Sequence, residues 1–235
     1  MRGRVPLAWK ILGVVCALAA VAIVLLQGWF LSQVLWWRTH HSESTAFMKL
    51  RLEQLQKKNP QARLKHQWVP YARISVHLKR AVVAAEDAKF VDHEGFDWEA
   101  IEKAMQKNER RGRVVSGAST ISQQLAKNLF LSGERSWLRK AQEAVITSMI
   151  ESAMSKRRIL ELYLNVAEWG EGVFGAEAAA RHHFGIPAAA LGAEQAAWLA
   201  SVLPSPRRYE RGRSTPHISD RMAVILARMP LAQIP

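Results

Sequence analysis

The sequence predicts a mainly α-helical protein with one transmembrane helix at its N-terminus. Two observations support this fold class. Residues 11–37 contain no charged side chain. The rest of the chain is rich in Ala, Leu, Glu, Gln, Lys and Arg and poor in alternating β-branched residues, which favours helices over strands by both propensity and period.

The uncharged run predicts a transmembrane signal anchor over residues 11–37. A bilayer core requires about 20 apolar residues. Trp9 on one side and Trp36 and Trp37 on the other suit the two membrane interfaces. A cleaved signal peptide is the competing interpretation. It fits less well because its apolar region is about 7–15 residues long and ends in a small-residue cleavage site.

The basic residues before the run predict its orientation. Arg2, Arg4 and Lys10 precede the apolar residues. Positive charge flanking a span favours the cytoplasmic side, so residues 1–10 are expected to be a cytoplasmic tail. The chain after about residue 38 is then expected on the far side of the membrane.

The charge balance predicts an anionic partner. The chain has 33 Lys and Arg against 20 Asp and Glu, a formal net charge of +13, and such an excess attracts nucleic acid, acidic lipid or phosphorylated substrates. Export behind an anchor disfavours nucleic acid, so lipid-linked phosphate or anionic lipid is expected. The single cysteine, Cys16, lies in the anchor, so the exported part is expected to fold without disulfides.

Cap and stop signals divide the rest of the chain. Residues 38–66 are polar and of mixed charge, with Pro60 ending any helix that starts near Ser44, which predicts a stalk or adaptor. Residues 67–235 are then expected to form one domain. Its predicted helices start at an N-cap Ser75, start after Gly117, span about Ser136 to Ser155, and run over Lys156–Val166, Ala176–Phe184 and Ala193–Leu203.

The first segment that contains candidate catalytic residues is 86–95, EDAKFVDHEG. On a helical wheel Glu86 falls beside Val82, at the margin of an apolar stripe. Burial there would raise its pKa toward that of a useful general base. The alternative is that Glu86 and Asp87 cap a solvated helix end, and His93 alone is more often structural than catalytic.

The second segment is residues 117–128, GASTISQQLAKN. Thr120 and Gln123 have the spacing of a capping box. Gln124, Lys127 and Asn128 would then lie near a helix start, where phosphate binds readily. An ordinary capped amphipathic helix explains the same pattern.

Two further segments follow. Arg139 and Glu143 are four residues apart, on one helix face. They form either a surface ion pair worth about 0–1 kcal/mol or a cation beside a second carboxylate. Residues 156–165 read as a helix that precedes Gly170, Gly172 and Gly175, and a helix in that place argues against a dinucleotide fingerprint.

Taken in order, these segments resemble the peptidoglycan glycosyltransferases, glycosyltransferase family 51. The similar motifs are EDxxFxxHxG, GxSTIxQQxxKN, RKxxE and KxxILxxYLN with spaced glycines, at residues 86–95, 117–128, 139–143 and 156–175. Residues 194–200 are similar to the last motif, and the likeness covers about residues 70–206. Because the chain ends at Pro235, the monofunctional form without a transpeptidase domain is expected.

The resemblance implies a lysozyme-like α-helical domain with a small membrane-contacting lobe, expected within residues 96–116. It implies β-1,4 transfer from a glycan chain on undecaprenyl diphosphate to the 4-hydroxyl of lipid II. Glu86 would be the general base, and Glu143 a second catalytic carboxylate that orients cations or helps to hold Mg²⁺ or Mn²⁺. The implied substrate-binding residues are Ser119, Gln124, Lys127, Asn128, Arg135, Arg139 and Lys140.

The resemblance also implies location and partners. We expect a single-pass protein of the inner membrane with a periplasmic domain, acting on lipid II and a lipid-linked glycan chain, without nucleic acid. Cell-wall synthesis or division proteins are candidate partners.

One departure from the family pattern concerns a histidine pair. Where relatives commonly show Tyr-Phe-Gly, this chain has His182-His183-Phe184-Gly185. The histidine pair is expected to pack or to lie on the surface rather than to bind metal. A lysozyme-like hydrolase and a non-enzymatic basic binding module remain alternatives for the function.

Overall fold

A computed structural model of the protein describes residues 7–41, 43–113, 117–131, 136–209 and 215–235. The chain divides into two compact units, one that extends to His40 and one over His41–Pro235. Helix α1, Leu7–Trp37, dominates the first unit. It has 31 residues and a mean hydropathy of 2.6 in an 18-residue window. It is therefore long and apolar enough to be the predicted membrane anchor.

The second unit is built mainly from helices, which confirms the predicted fold class. The helices of this unit are α2 Ala46–Gln56, α3 Val76–Glu86, α4 Trp98–Arg110, α5 Ile121–Phe130, α6 Trp137–Ala153, α7 Lys156–Val166, α8 Ala176–Phe184, α9 Ala193–Val202, α10 Pro206–Tyr209 and α11 Pro216–Arg228.

The helix ends follow the signals in the sequence. The Ser75 hydroxyl accepts a hydrogen bond from the first turn of α3. Thr120 and Gln123 form a reciprocal capping box at the start of α5. Helix α8 ends at Gly185 in the left-handed conformation, with φ of 71°, which glycine adopts without a steric penalty. Helices α7 and α8 have the predicted bounds, and α9 ends one residue earlier than predicted.

Three short strands were not predicted. They are β1 Lys65–His66, β2 Glu168–Gly170 and β3 Val173–Phe174. The sheet order is β1-β3-β2, with β1 parallel and β2 antiparallel to β3. Strands of two or three residues are too short to show an alternating pattern.

The spaced glycines shape the turn from this sheet into α8. Gly175 has φ of +85°, and a Cβ there would lie 2.7 Å from the carbonyl oxygen of Asn165. Glycine is required by both the dihedral angle and the close approach. The glycines therefore have a structural role in the turn, which agrees with the prediction that they are not a dinucleotide fingerprint.

The hydrophobic core positions the helices that carry the four motif segments. Helix α5 packs against α2, α6 and α7, while α3 packs against α9 and α11. Leu78 of α3, Leu125 of α5 and Ile146 of α6 are completely buried. This packing fixes the C-terminal end of α3 relative to α5 and α11.

Helix α2 lies in the segment predicted to be a stalk. Thr45 caps its start, and it ends at Gln56, before Pro60. It packs against α5 and falls in the same compact unit as the rest of the domain. The domain boundary at residues 66–67 stays a prediction.

Candidate active site

Glu86 is the last residue of α3, and both of its carboxylate oxygens have partners. Arg221 of α11 lies 3.1 Å from Oε1. The side-chain amide of Gln124, on α5, donates to Oε2 at 3.0 Å. The Glu86 side chain is only 11% exposed. Three separate helices therefore meet at this carboxylate.

Tyr163 orients the amide of Gln124. Its hydroxyl donates to Gln124 Oε1 at 2.8 Å, which leaves the amide nitrogen to face Glu86. Burial raises the pKa of Tyr163 well above its ordinary value, and the negative charge of Glu86 adds to this effect. The hydroxyl therefore stays protonated and remains the donor of this hydrogen bond.

Opposing influences act on the pKa of Glu86. Burial raises the pKa of Glu86 above its ordinary value, because a desolvated carboxyl favours its neutral form. The hydrogen bond from Gln124 and the charges of Arg221 and Lys127 act in the other direction. The predicted desolvation of this carboxylate is confirmed, and Glu86 is not the solvated helix end of the alternative interpretation.

Asp87 connects the first two motif segments. Its Oδ1 lies 2.9 Å from His93 Nε2, and its Oδ2 accepts the backbone N–H of Ile121 at 2.9 Å. Asp87 thus caps α5 from another part of the chain, and a carboxylate at a helix N-terminus is favourable. This contact gives His93 a structural role, which agrees with the interpretation of His93 as structural rather than catalytic.

Two backbone N–H groups at the start of α5 already have hydrogen-bond partners. The N–H of Ile121 bonds to Asp87, and the N–H of Gln123 bonds to the Thr120 hydroxyl. The expectation that phosphate binds near this helix start, beside Gln124, Lys127 and Asn128, stays a prediction. An anion in this region would depend on side-chain cations instead.

Those cations surround Glu143 on α6. Arg139 donates to Glu143 Oε2 at 2.9 Å, and Lys140 donates to Oε1. Glu143 is 3% exposed, so this is a buried group and not the surface ion pair of the alternative interpretation. It holds two cations in fixed positions at the start of α6.

Lys127 is the cation between the two carboxylates. Both Glu86 and Glu143 act on its charge, and burial lowers the pKa of Lys127 below its ordinary value. Within the part of the chain that the structure describes, its ammonium has no hydrogen bond or ion pair. A half-buried ammonium without a bonded partner is well suited to receive an anionic ligand.

These side chains line one cavity of about 810 Å³. Helix α2 contributes Phe47, Leu50, Arg51 and Gln54 to its wall. Of the predicted site residues, those that line it are Ser119, Gln124, Lys127, Asn128, Arg139, Lys140 and Glu143. Glu86 adjoins the cavity through its hydrogen bond with Gln124. Arg135 lies outside the described residues.

The model of the family described as transglycosylase matches residues 52–230. The chain belongs to the transglycosylase family. It is thereby a glycosyltransferase, as the motif resemblance predicted. Family membership favours an enzyme over the basic binding module.

Several relatives are similar over nearly their whole length. A biosynthetic peptidoglycan transglycosylase of Azoarcus sp. (strain BH72) is 61% identical over 227 residues, which cover 97% of this chain and 98% of that protein. A protein of the same name from Dechloromonas aromatica (strain RCB) is 61% identical over 209 residues, covering 89% and 90%. One from Herminiimonas arsenicoxydans is 58% identical over 213 residues, covering 91% and 92%.

Two residues of this transglycosylase site were not predicted. Arg221 lies beyond the matched motifs, and Tyr163 lies within the fourth motif but was given no role. The signal available in the sequence was the position of Arg221 three residues after Ile218. This spacing places Arg221 on the same helix face as a buried apolar residue. Its contact with Glu86 requires tertiary packing that no local pattern encodes.

The residues do not form a cation cradle. Among the described residues there is no group of three or more His, Cys, Asp or Glu side chains suited to a metal. The two oxygens of Glu143 already accept from Arg139 and Lys140. Within the part of the chain that the structure describes, the expected divalent ion therefore has no fitting donor set beside Glu143.

The histidine pair at the end of α8 serves packing. His183 Nε2 lies 2.9 Å from the carbonyl oxygen of Trp169, and its ring packs edge-on against Trp198. His182 lies 3.1 Å from the Lys65 ammonium. These contacts agree with the structural interpretation of the pair.

We expect Asp87→Asn to lower the free energy of unfolding by about 1–3 kcal/mol. His93 and Ile121 bind different oxygens of Asp87. The substitution replaces one of these oxygens with an NH2 group, which cannot accept a hydrogen bond. Thermal and denaturant unfolding of the detergent-solubilised protein would measure the change. The matched control is Asp92→Asn, at an exposed position, and equal stability of the two variants would contradict the role of Asp87.

Proposed function

We propose that this chain is a peptidoglycan polymerase that elongates glycan strands from lipid II. One observation carries the proposal. A desolvated carboxylate, Glu86, and the ammonium of Lys127, which has no bonded partner among the residues that the structure describes, lie beside the same cavity in a chain of the transglycosylase family. The names of the relatives support peptidoglycan as the polymer.

Glu86 is the general base in this proposal. The 4-hydroxyl oxygen of lipid II attacks the anomeric carbon of the donor sugar, and the hydroxyl proton passes to Glu86. The bond from the anomeric carbon to the diphosphate oxygen breaks, and its electron pair leaves with undecaprenyl diphosphate. The α linkage of the donor becomes a β-1,4 linkage, so the configuration is inverted.

The cations around Glu143 hold the diphosphate of the donor. Lys127, Arg139 and Lys140 offer positive charge where negative charge develops as the leaving group departs, which stabilises the transition state. Glu143 keeps Arg139 and Lys140 in place and is a positioning residue in this scheme. Ser119, Asn128 and Arg135 are proposed to contact the donor as well.

A peptidoglycan hydrolase is the less well supported alternative. Glycoside hydrolysis needs a carboxylic acid to protonate the leaving oxygen. It has no use for a cation cluster of this kind, because no diphosphate leaves. The word biosynthetic in the names of the relatives also favours polymerisation.

Exposed apolar side chains support contact with a membrane. Trp98 and Met105 on α4 are 71% and 66% exposed, and Trp137 and Leu138 at the start of α6 are 91% and 85% exposed. Such side chains suit the interface of a bilayer. We propose that α4, within the segment 96–116 predicted to form the small lobe, and the start of α6 contact the membrane that holds the lipid substrate.

We expect Glu86→Gln to reduce glycan polymerisation by about a hundredfold or more, because the amide keeps the shape and cannot accept the proton. Incubation of the detergent-solubilised protein with labelled lipid II measures polymer formation. The control Glu94→Gln changes an exposed carboxylate and should retain activity. Near-normal turnover by Glu86→Gln would mean that another group is the base.

Lys127→Ala and Arg139→Ala should each weaken binding of a phosphoglycolipid inhibitor of the moenomycin type. Each removes a charge-assisted contact of about 1.5–3 kcal/mol, which corresponds to roughly 10- to 150-fold in affinity. Equilibrium binding of labelled inhibitor is the measurement, and Lys107→Ala, at an exposed site on α4, is the control. Parental affinity in either variant would remove that residue from the donor site.

The proposal requires the domain to lie outside the cytoplasm, in the periplasm, where lipid II is polymerised. A reporter enzyme that is active only after export, fused after Pro235, should be active. A reporter active only in the cytoplasm should be inactive at the same position, because the positive residues before α1 favour a cytoplasmic N-terminus. The opposite pattern would separate the site from its substrate and overturn the proposed function.

A further inference from the structure

An arginine outside the four motif segments contacts the proposed base. Arg221 lies on α11, 135 residues from Glu86 in sequence, and its guanidinium is 3.1 Å from Glu86 Oε1. Ile218 and Ile225, on the same helix, are 1% and 2% exposed. They hold α11 against α9 and α3, so the position of Arg221 is set by the core.

The contact complements the one made by Gln124. Gln124 binds Glu86 Oε2, and Arg221 binds Oε1. Each oxygen of the carboxylate is therefore held from a different helix. Removing either partner would free one end of the carboxylate to rotate.

Among the described residues, the charges that face Glu86 come from three side chains. Arg221 and Lys127 are positive, Asp87 is negative, and Gln124 and Tyr163 contribute neutral dipoles. Lys127 faces Glu143 as well and lines the cavity where an anionic ligand would bind. Once an anion occupies that cavity, the ammonium of Lys127 interacts with the anion as well as with Glu86. Arg221 is then the cation that remains with Glu86.

We infer that Arg221 is a positioning residue that keeps Glu86 ionised and correctly oriented during catalysis. The inference rests on the proposed function and goes further, because it assigns a part of the base machinery to the C-terminal helix. Arg221 does not touch the reacting atoms in this scheme. It acts through the carboxylate alone.

The sign of the expected pH effect follows from the charge. Glu86 must be ionised to accept a proton, so activity falls as the pH drops through its pKa. Burial raises the pKa of Glu86, and the positive charge of Arg221 lowers it. Without Arg221 this lowering is lost, so the pKa of Glu86 rises. The acidic limb of the pH–rate profile should therefore move to higher pH.

The test compares pH–rate profiles of lipid II polymerisation for the parent, Arg221→Gln, Arg221→Lys and Arg228→Gln. We expect Arg221→Gln to move the acidic limb up by about one pH unit, with about tenfold loss below the limb and recovery at high pH. Arg221→Lys, which keeps the charge, should move it less. Arg228 is an exposed arginine on the same helix, and its variant should behave as the parent.

A second measurement is independent of activity. The ¹³C resonance of the Glu86 carboxyl, assigned by its loss in Glu86→Gln, titrates with pH in the full-length protein. It should report a higher pKa in Arg221→Gln than in the parent. Thermal unfolding of each variant identifies a loss of folding, in which case Arg221→Lys carries the comparison.

The outcomes separate this inference from the proposed function. An unchanged pKa and limb in Arg221→Gln, with an active parent, would overturn the role of Arg221 alone. A loss of the same size at every pH in both Arg221 variants would also overturn it, since that indicates a merely structural residue. A parent that forms no polymer would overturn the proposed function, while the carboxyl titration would still decide the coupling of Arg221 to Glu86.

Discussion

The arrangement of the site depends on the carboxylate of Asp87. It accepts hydrogen bonds from the first N–H of α5 and from the ring of His93. These bonds connect the end of α3 to the start of α5. The next residue back, Glu86, is placed beside Gln124 as a consequence. A buried carboxylate with two donors tolerates few other geometries, because losing either donor leaves a desolvated charge unsatisfied. The cap therefore sets the distance between the proposed base and the helix that carries Lys127.

Part of the cavity lining is held by another buried ion pair. Arg51 of α2 donates to Glu168 of β2 at 3.0 Å, and both side chains are less than 10% exposed. Breaking one partner of such a pair costs about 3–5 kcal/mol. Helix α2 is thereby fixed to the sheet as well as to α5. The Arg51–Glu168 pair and the cations around Glu143 line the same cavity.

Local signals in the sequence predicted most helices and the burial of Glu86. The Ser75 cap, the Thr120–Gln123 box and the stop at Gly185 are short-range patterns, and each agrees with the structure. The contacts of Asp87 with Ile121 and of Arg221 with Glu86 join residues 34 and 135 positions apart. Such pairs depend on how helices pack, and no spacing within one segment encodes them. The strands were missed because two or three residues show no period.

The hydrogen bonds from Tyr163 to Gln124 and from Gln124 to Glu86 affect which directions around the Glu86 carboxylate are open to a substrate hydroxyl. A carboxylate has about four lone-pair sites. The amide of Gln124 occupies one on Oε2, and Arg221 occupies one on Oε1. Only the remaining directions can accept a proton, and the fixed donors prevent the carboxylate from turning to offer others. A sugar ring presents several hydroxyls of similar acidity. With Glu86 as the proposed base, the geometry of its free lone pairs, rather than acidity, would select which hydroxyl is deprotonated and hence the regiochemistry of the linkage.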